Sequence, residues 1–379
     1  MATLRKPIDM SKFLKSVSKS IPNISSGFND PVIWVDTGSF LLNKLISNDF
    51  FKGVPLEGKF IMFAGESGSG KSLIVAGNMV RYCQANDIFP IIIDTENAID
   101  KQWLLNLGVD PEDGQDESGQ PNGKAAKLLK FNISSVEDLA KFLGDFITDY
   151  KDRYSDIKKD ERPKFAIIID SLGMLVTEQM ISQADEGTIQ GDMGIKAKKL
   201  THTIRTTLSK INGENIGLWA TNHVYASQDK YTPDKISGGM MLEFAASMIV
   251  QINKLLLKED EDGNKLVGGE VAGIRANINV RKSRYAKPFE KMQIMIPFDT
   301  GMNPYSGLID FFEKRGILTK EGNRFVYIDK SGKKHIDYRK NITNDLLDQI
   351  MFEWDETRFG FKGADIPASE DEKDDDITE

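Results

Sequence analysis

Cysteine is nearly missing from this sequence: Cys83 stands alone among 379 residues, so no intrachain disulfide can form and a small disulfide-framed scaffold is excluded. Long apolar runs are missing as well. No stretch approaches the roughly 20 residues that cross a bilayer, so no membrane segment is implied. The first twenty residues, Met1 to Ser20, lack the continuous apolar centre of a secretory signal, and a reducing cytoplasm is the expected setting. Internal repeats are absent. The net charge of −8 looks acidic, but residues 369–379 hold seven acids and one lysine and supply −6 of it. That tail is expected to be disordered, and the remainder carries too little net charge to argue against a polyanionic partner.

What is present is ordinary globular composition, 40% hydrophobic and 28% charged, in a chain long enough for one large domain with appendages or for two domains. One stretch organises the rest. An apolar strand pattern, Phe60 to Ala64, runs into Gly65-Glu66-Ser67-Gly68-Ser69-Gly70-Lys71-Ser72, and a helix pattern follows from Leu73 to Gln84. This is the phosphate-loop spacing in its strand-to-helix context. Glycines let successive backbone N–H groups turn inward, and the helix N-terminus behind them completes an anion-binding concavity. Lys71 is expected to reach the β- and γ-phosphates and Ser72 to ligate Mg²⁺. ATP or GTP binding follows.

Three further apolar runs, Phe89 to Asp94, Phe165 to Asp170 and Ile216 to Thr221, are separated by helix-length segments. Nearly continuous runs spaced in this way predict a mostly parallel sheet covered on both faces. Two of them end in an acid. Asp170 closes its run in the manner of a Walker B aspartate, and Glu96 follows two residues after Asp94, where the carboxyl end of a parallel strand meets a nucleotide crevice. After Val250 the pattern changes: Met248 to Lys258, Val271 to Lys282 and Lys291 to Pro297 read as an antiparallel extension. The residues from Tyr305 read as a small α+β lobe with a helix at Gly307 to Lys314, a hairpin over Arg324 to Tyr338 and a helix near Thr343 to Glu356. Asp110 to Lys124 has the turn chemistry of a surface loop.

A helix pattern beginning at Gly194 carries an apolar stripe of Ala197, Leu200, Ile204, Leu208 and Ile211, with Lys198, Thr201 and Arg205 on an adjacent face. Residues so aligned can follow a nucleic-acid backbone. Gly238 and Gly239 would allow backbone N–H groups to approach a phosphate closely.

Ile91 to Asp100, Ala166 to Leu175, Leu218 to Val224, Ser237 to Ser247, Arg281 to Glu290 and Gly301 to Asp310 resemble, in order and spacing, the RecA family of recombinases, and within it those of T-even-type phages. The resemblance covers roughly Trp34 to Asp310. It implies an α/β fold with a RecA-like P-loop ATPase core over residues 31–304, preceded by an N-terminal polymerisation helix and linker over 1–30. The small lobe at 305–368 and the acidic tail at 369–379 follow. By the same resemblance Glu96 is the catalytic carboxylate, Asp100, Trp103 and Tyr305 hold the adenine, and His223 senses the γ-phosphate. Lys282 and Arg284 match cations that act on a neighbouring subunit's nucleotide. Gly65 to Ser72 and Leu73 cradle the phosphates, and Ser72 and Asp170 hold Mg²⁺.

The resemblance also assigns DNA contacts to Met193, Lys198, Thr201, Arg205, Gly238 and Gly239, and puts two polar DNA-binding loops at Glu178 to Asp192 and Val224 to Ile236. The implied protein uses ATP and Mg²⁺ and forms a helical homo-oligomer on single-stranded DNA. It pairs that strand with homologous double-stranded DNA, working beside single-strand-binding and mediator proteins. For a phage gene the setting is the host-cell cytoplasm. Two other readings stay open at this point: a ring-forming helicase on the same fold, and a non-catalytic, ATP-gated recombination mediator.

Overall fold

The computed structural model describes residue 11 and residues 30–116, 118–188, 194–225, 234–258, 271–298 and 300–354. Met1–Val32 is a unit of its own, distinct from Ile33–Glu379. Apart from Ser11, the expected N-terminal docking helix lies outside the described residues, as do the acidic tail and Met193.

In chain order the elements are β1 (Trp34–Val35), α1 (Phe40–Ser47), β2 (Val54–Pro55), β3 (Phe60–Gly65), and α2, which starts in π register over Leu73–Asn78 and continues as α-helix over Met79–Ala85. Then come β4 (Ile88–Asp94), α3 (Lys101–Asn106), β5 (Leu129–Asn132), α4 (Val136–Tyr154), β6 (Lys164–Asp170), α5 (Glu178–Asp185), α6 (Ile195–Ile211) and β7 (Ile216–Asn222). They are followed by β8 (Val224–Tyr225), β9 (Lys235–Ile236), α7 (Met240–Ala245), β10 (Met248–Leu257), β11 (Gly273–Lys282) and β12 (Lys291–Pro297). The C-terminal part holds α8 (Leu308–Lys314), β13 (Thr319–Glu321), β14 (Arg324–Ile328), β15 (Lys334–Tyr338) and α9 (Asn344–Trp354).

An eight-stranded sheet in the order β12-β11-β10-β3-β7-β6-β4-β5 forms the centre. The six strands from β10 to β5 are parallel, and β11 and β12 add to them antiparallel. The expected RecA-like core, a mostly parallel sheet with an antiparallel extension, is borne out. Its strands are apolar on both sides because side chains alternate between two buried layers. Along β3, Ile61 and Phe63 join a core with α1, α2 and the inner faces of β11 and β12, whereas Phe60, Met62 and Ala64 join a second core with α4 and α6. The first of these cores continues past residue 305: Phe50 meets the rings of Phe311 and Phe312, and Leu347, Ile350 and Met351 of α9 pack into the same cluster.

Two expectations need correction. The first half of the segment expected as a polar loop, Glu178 to Asp192, is helix α5; the Thr177 hydroxyl accepts from the Met180 N–H at 3.2 Å and caps its first turn. No residue of α5 is buried, so the cap and the intrahelical bonds, not a core face, define it. The second expected loop is pinned at its ends, where β8 and β9 pair Val224 with Ile236 and Tyr225 with Lys235. The described part of Asp110 to Lys124 is, as expected, without helix or long strand, and its base is held by Gln84, whose side chain bonds to both Asp110 and Lys127.

Candidate functional site

Parallel pairing brings the carboxyl ends of β3, β4, β6 and β7 to one edge of the sheet: Asp94 lies beside Asp170, and Ala64 beside Asn222. In open parallel sheets this edge is where ligands bind. The loop after β3 fits that use. Gly70 sits at φ +90, and a Cβ on Gly65 would stand 2.2 Å from the Ile252 carbonyl oxygen, so both positions require glycine. Lys71 is buried and donates through Nζ to the carbonyls of Gly65 (3.1 Å) and Glu66 (2.7 Å). Burial lowers its pKa, against the pull of Asp170, Glu96 and Glu66. The loop's outer side is held by Lys254 of β10, whose Nζ donates to the Ser67 carbonyl at 2.5 Å and lies 3.9 Å from Glu66.

Asp170, 6% exposed, accepts from the Thr221 hydroxyl, and the Ser72 hydroxyl favours its charged form. Burial and the nearby Glu96 raise its pKa although Thr221, Ser72 and Lys71 favour the carboxylate. A buried carboxylate with too little positive charge around it, next to a serine hydroxyl, is a fitting place for a divalent cation. Ser69 Oγ inside the loop is buried without a hydrogen-bond partner. An acceptor such as a phosphate oxygen would satisfy it. Among the described residues no three His, Cys, Asp or Glu side chains cluster as a metal site, so the cation would share its ligands with the phosphates.

Glu96 is not a helix cap. Asp100 caps the helix that follows, and the turn before that helix is held by Asp94, which accepts from the N–H groups of Glu96 (3.1 Å), Ala98 (3.3 Å) and Ile99 (3.0 Å) and pairs with Lys130 at 3.0 Å. The Glu96 carboxylate is left free of the backbone and points to two other side chains. Its Oε1 lies 2.8 Å from Ser171 Oγ and 3.1 Å from His223 Nε2, and those two are 3.2 Å apart. Thr95 fixes Ser171 by accepting from its N–H and donating to its carbonyl, at 2.8 and 2.7 Å.

Burial would raise the pKa of Asp94, but the Ile99 and Ala98 N–H groups and Lys130 outweigh it and hold the acid below its ordinary value. Ionised Asp94 therefore stabilises the fold at every pH above the unfolded value near 3.9, and that contribution fades as pH falls through the lower folded value. Asp94→Asn is expected to cost about 2 kcal/mol at neutral pH. Denaturant midpoints measured from pH 7 down to pH 2 check this: the gap between wild type and variant should close only at the acid end, and a constant gap would count against the assignment.

The structure brings the five expected DNA contacts among the described residues together and leaves the other expected residues in separate places. Asp100 is the N-cap of α3, its Oδ1 accepting from the Trp103 N–H at 2.7 Å, while Tyr305 packs edge-on to Phe40 and donates its hydroxyl to Asp348 at 3.1 Å. Lys198, Thr201, Arg205, Gly238 and Gly239 line one open cavity of about 680 Å³ with His202, Met240 and Met241. Lys282 lies across from Ile249, three positions along β10 from Ile252, which neighbours Gly65. It points away from its own phosphate loop, donating through Nζ to the Glu243 and Phe244 carbonyls at 3.0 Å each. Burial and Arg284 lower its pKa. Arg284 is exposed in a second concavity with Lys44, Lys287, Glu290 and Arg315.

Sequence patterns did not reveal Lys254, Thr95, Thr221 or Lys130. Their places come from pairing between strands distant in sequence, such as β10 on β3, which no local spacing encodes. A phosphate loop after β3, a buried acid at the end of β6, one strand removed from it, and a mostly parallel sheet with an antiparallel flank define a P-loop protein with a RecA-like core. No protein-family model matches the chain. A recombination and repair protein of Enterobacteria phage T4 is 27% identical to it over 303 residues, covering 79% of this chain and 68% of that one. A Protein RecA of Malacoplasma penetrans is 27% identical over 348 residues, covering 89% and 91%. Protein RecA of Aquifex aeolicus is 24% identical, covering 85% and 83%. The chain is similar to RecA-family recombinases over most of its length.

Proposed function

We propose that the chain is a DNA-dependent ATPase that assembles as a helical filament on single-stranded DNA and catalyses homologous pairing and strand exchange. The observation that carries this reading is one edge of one sheet holding Lys71, Ser72, Asp170 and Glu96 together, in a chain similar to RecA-family recombinases. The Gly65–Ser72 loop, with Leu73 behind it, would hold the phosphates of ATP, and Ser72 and Asp170 would hold Mg²⁺. The cation supplies charge neutralisation at the phosphates. Asp100, Trp103 and Tyr305 would take the adenine.

Glu96 orients and deprotonates the attacking water, and His223 responds at the γ-phosphate position. Lys282 and Arg284, directed away from their own loop, serve the nucleotide of the next protomer. No described helix is long and apolar enough to cross a membrane. The proposed setting is the cytoplasm, with single-strand-binding and mediator proteins as partners and a homologous duplex as second substrate. The division into an N-terminal docking segment, core, small lobe and acidic tail belongs to the same proposal.

The DNA side of the reading rests on the cavity lined by Lys198, Thr201, Arg205, Gly238 and Gly239, with Met193 as a further contact. Each phosphate neutralised on a single strand adds about 0.7 to the slope of log K against log salt. Arg205→Ala is therefore expected to weaken single-strand binding uniformly across sequences and to flatten that slope by about 0.7. Fluorescence anisotropy at four salt concentrations measures it; parallel salt plots for the two proteins would remove Arg205 from the DNA contact.

A further inference from the structure

Between the DNA-facing cavity and Glu96 lies a short segment, Ser171 to Gly173, that both sides grip. On the DNA side, Lys196 in the first turn of α6 is half-buried and donates through Nζ to the Gly173 carbonyl at 2.6 Å. Its chain neighbours Ala197 and Lys198 line the cavity. Successive helix residues are turned by about 100°, so adjacent positions on α6 reach two different surroundings. The base of α6 is also fastened from the flank: Lys199 lies 2.5 Å from Glu137, whose other oxygen accepts from the Glu178 N–H at 3.1 Å.

On the nucleotide side, Gly173 lies under the imidazole of His223. A Cβ at position 173 would stand 2.7 Å from His223 Cδ2 and 3.3 Å from Asn222 Oδ1. Nothing larger than glycine fits between the Lys196 contact and the histidine. Two residues back, Ser171 is 1% exposed, held by Thr95 on its backbone, and bonded through Oγ to the carboxylate of Glu96. A displacement of Gly173 therefore has few places to go except into the triangle of Ser171, His223 and Glu96, because packed interiors move by discrete repacking and not by smooth deformation.

We propose that Lys196 is a positioning residue that couples occupancy of the DNA face to the catalytic carboxylate, through Gly173, His223 and Ser171. The proposal rests on the ATPase reading above and deepens it by naming the link between the two sites. Its chemistry is a charge-assisted hydrogen bond from an ammonium to a carbonyl where the first turn of α6 meets the segment after β6. Lys196 acts within its own chain, so the coupling is separate from anything that passes between subunits.

The test compares ATP turnover of Lys196→Met and Lys196→Arg with wild type, without DNA and over a titration with a single-stranded oligonucleotide. Turnover without DNA and the half-saturating DNA concentration should stay within about twofold in both variants. The stimulation at saturating DNA should fall about tenfold in Lys196→Met and be largely kept in Lys196→Arg, which can still donate to the carbonyl. Equal thermal midpoints keep a folding defect out of the comparison. Full stimulation of Lys196→Met overturns the coupling, and so does a raised half-saturating concentration with an unchanged plateau, which would make Lys196 a plain DNA contact. A wild type that DNA does not stimulate would overturn the ATPase reading itself, and the coupling with it.

Discussion

Glu96→Gln is expected to lower ATP turnover by about a hundredfold or more while leaving nucleotide binding and DNA-bound assembly in place. The size follows from what a positioned general base contributes, about 10²–10⁴ in rate. Selectivity for turnover follows from the geometry. Glu96 takes no part in the phosphate loop and does not cap its own loop, because Asp94 accepts the backbone N–H groups there. Glutamine preserves shape and can still bond to Ser171 and His223, but its amide cannot accept a proton from water. Single-turnover hydrolysis with prebound ATP separates the steps. Unchanged turnover would take the catalytic role away from Glu96.

The double variant Lys282→Ala, Arg284→Ala is expected to bind ATP normally and lose nearly all DNA-stimulated turnover, on the arginine-finger scale of about 10³ or more. The cause lies in where these cations sit. Register places Lys282 beside Ile249, toward the opposite end of the strand from the position that neighbours Gly65, so neither cation is presented to the nucleotide of its own chain. A protein carrying Lys71→Ala lacks its own phosphate contact yet keeps both cations. Mixing the two inactive proteins should restore part of the activity at junctions where an intact phosphate loop meets an intact pair of cations. Mixed assemblies that form, as shown by differently labelled protomers in one filament, but stay inactive at every ratio would place the cations elsewhere in the mechanism.

The fold was legible where burial left a continuous apolar record. Ile91 to Ile93 and Ile167 to Ile169 are buried on both sides and each runs into an aspartate, and the parallel sheet follows from them. Strand β5 was not foreseen because it is the sheet's outer strand: Lys130 and Asn132 interrupt its apolar character, and Phe131 is 37% exposed. Helix α5 was read as loop because the resemblance puts a DNA-binding loop there and the segment has too few apolar residues to be core; as a helix it buries none of them. The helix after the phosphate loop was foreseen as a single element, but its first turns are wider than an α-helix, a register that pattern does not distinguish.

At the candidate site the phosphate loop and Asp170 were readable from spacing, since both are local signatures. The arrangement around Glu96 was not. Ser171 and His223 are 75 and 127 residues from Glu96 in sequence, and only the pairing of β4, β6 and β7 brings all three within hydrogen-bond reach. Asp94 shows the same limit from the other side. As the acid closing an apolar run it looks no different from Asp170, yet it is spent on backbone N–H groups and Lys130, whereas Asp170 stands by Ser72. Which carboxylate is structural and which faces the phosphate loop depends on the loop that follows each strand.

The central claim is that ATP-dependent assembly on a single strand drives pairing with a homologous duplex. The most direct measurement incubates the full chain with circular single-stranded DNA, homologous linear duplex, ATP and Mg²⁺, and follows joint molecules by gel while recording ATP turnover. The account predicts joint molecules only with homologous duplex and ATP, together with turnover that rises when the single strand is added. DNA-stimulated turnover that separates duplex strands without regard to homology would contradict it in favour of a translocating helicase, and DNA binding without turnover or pairing would contradict it in favour of a scaffold.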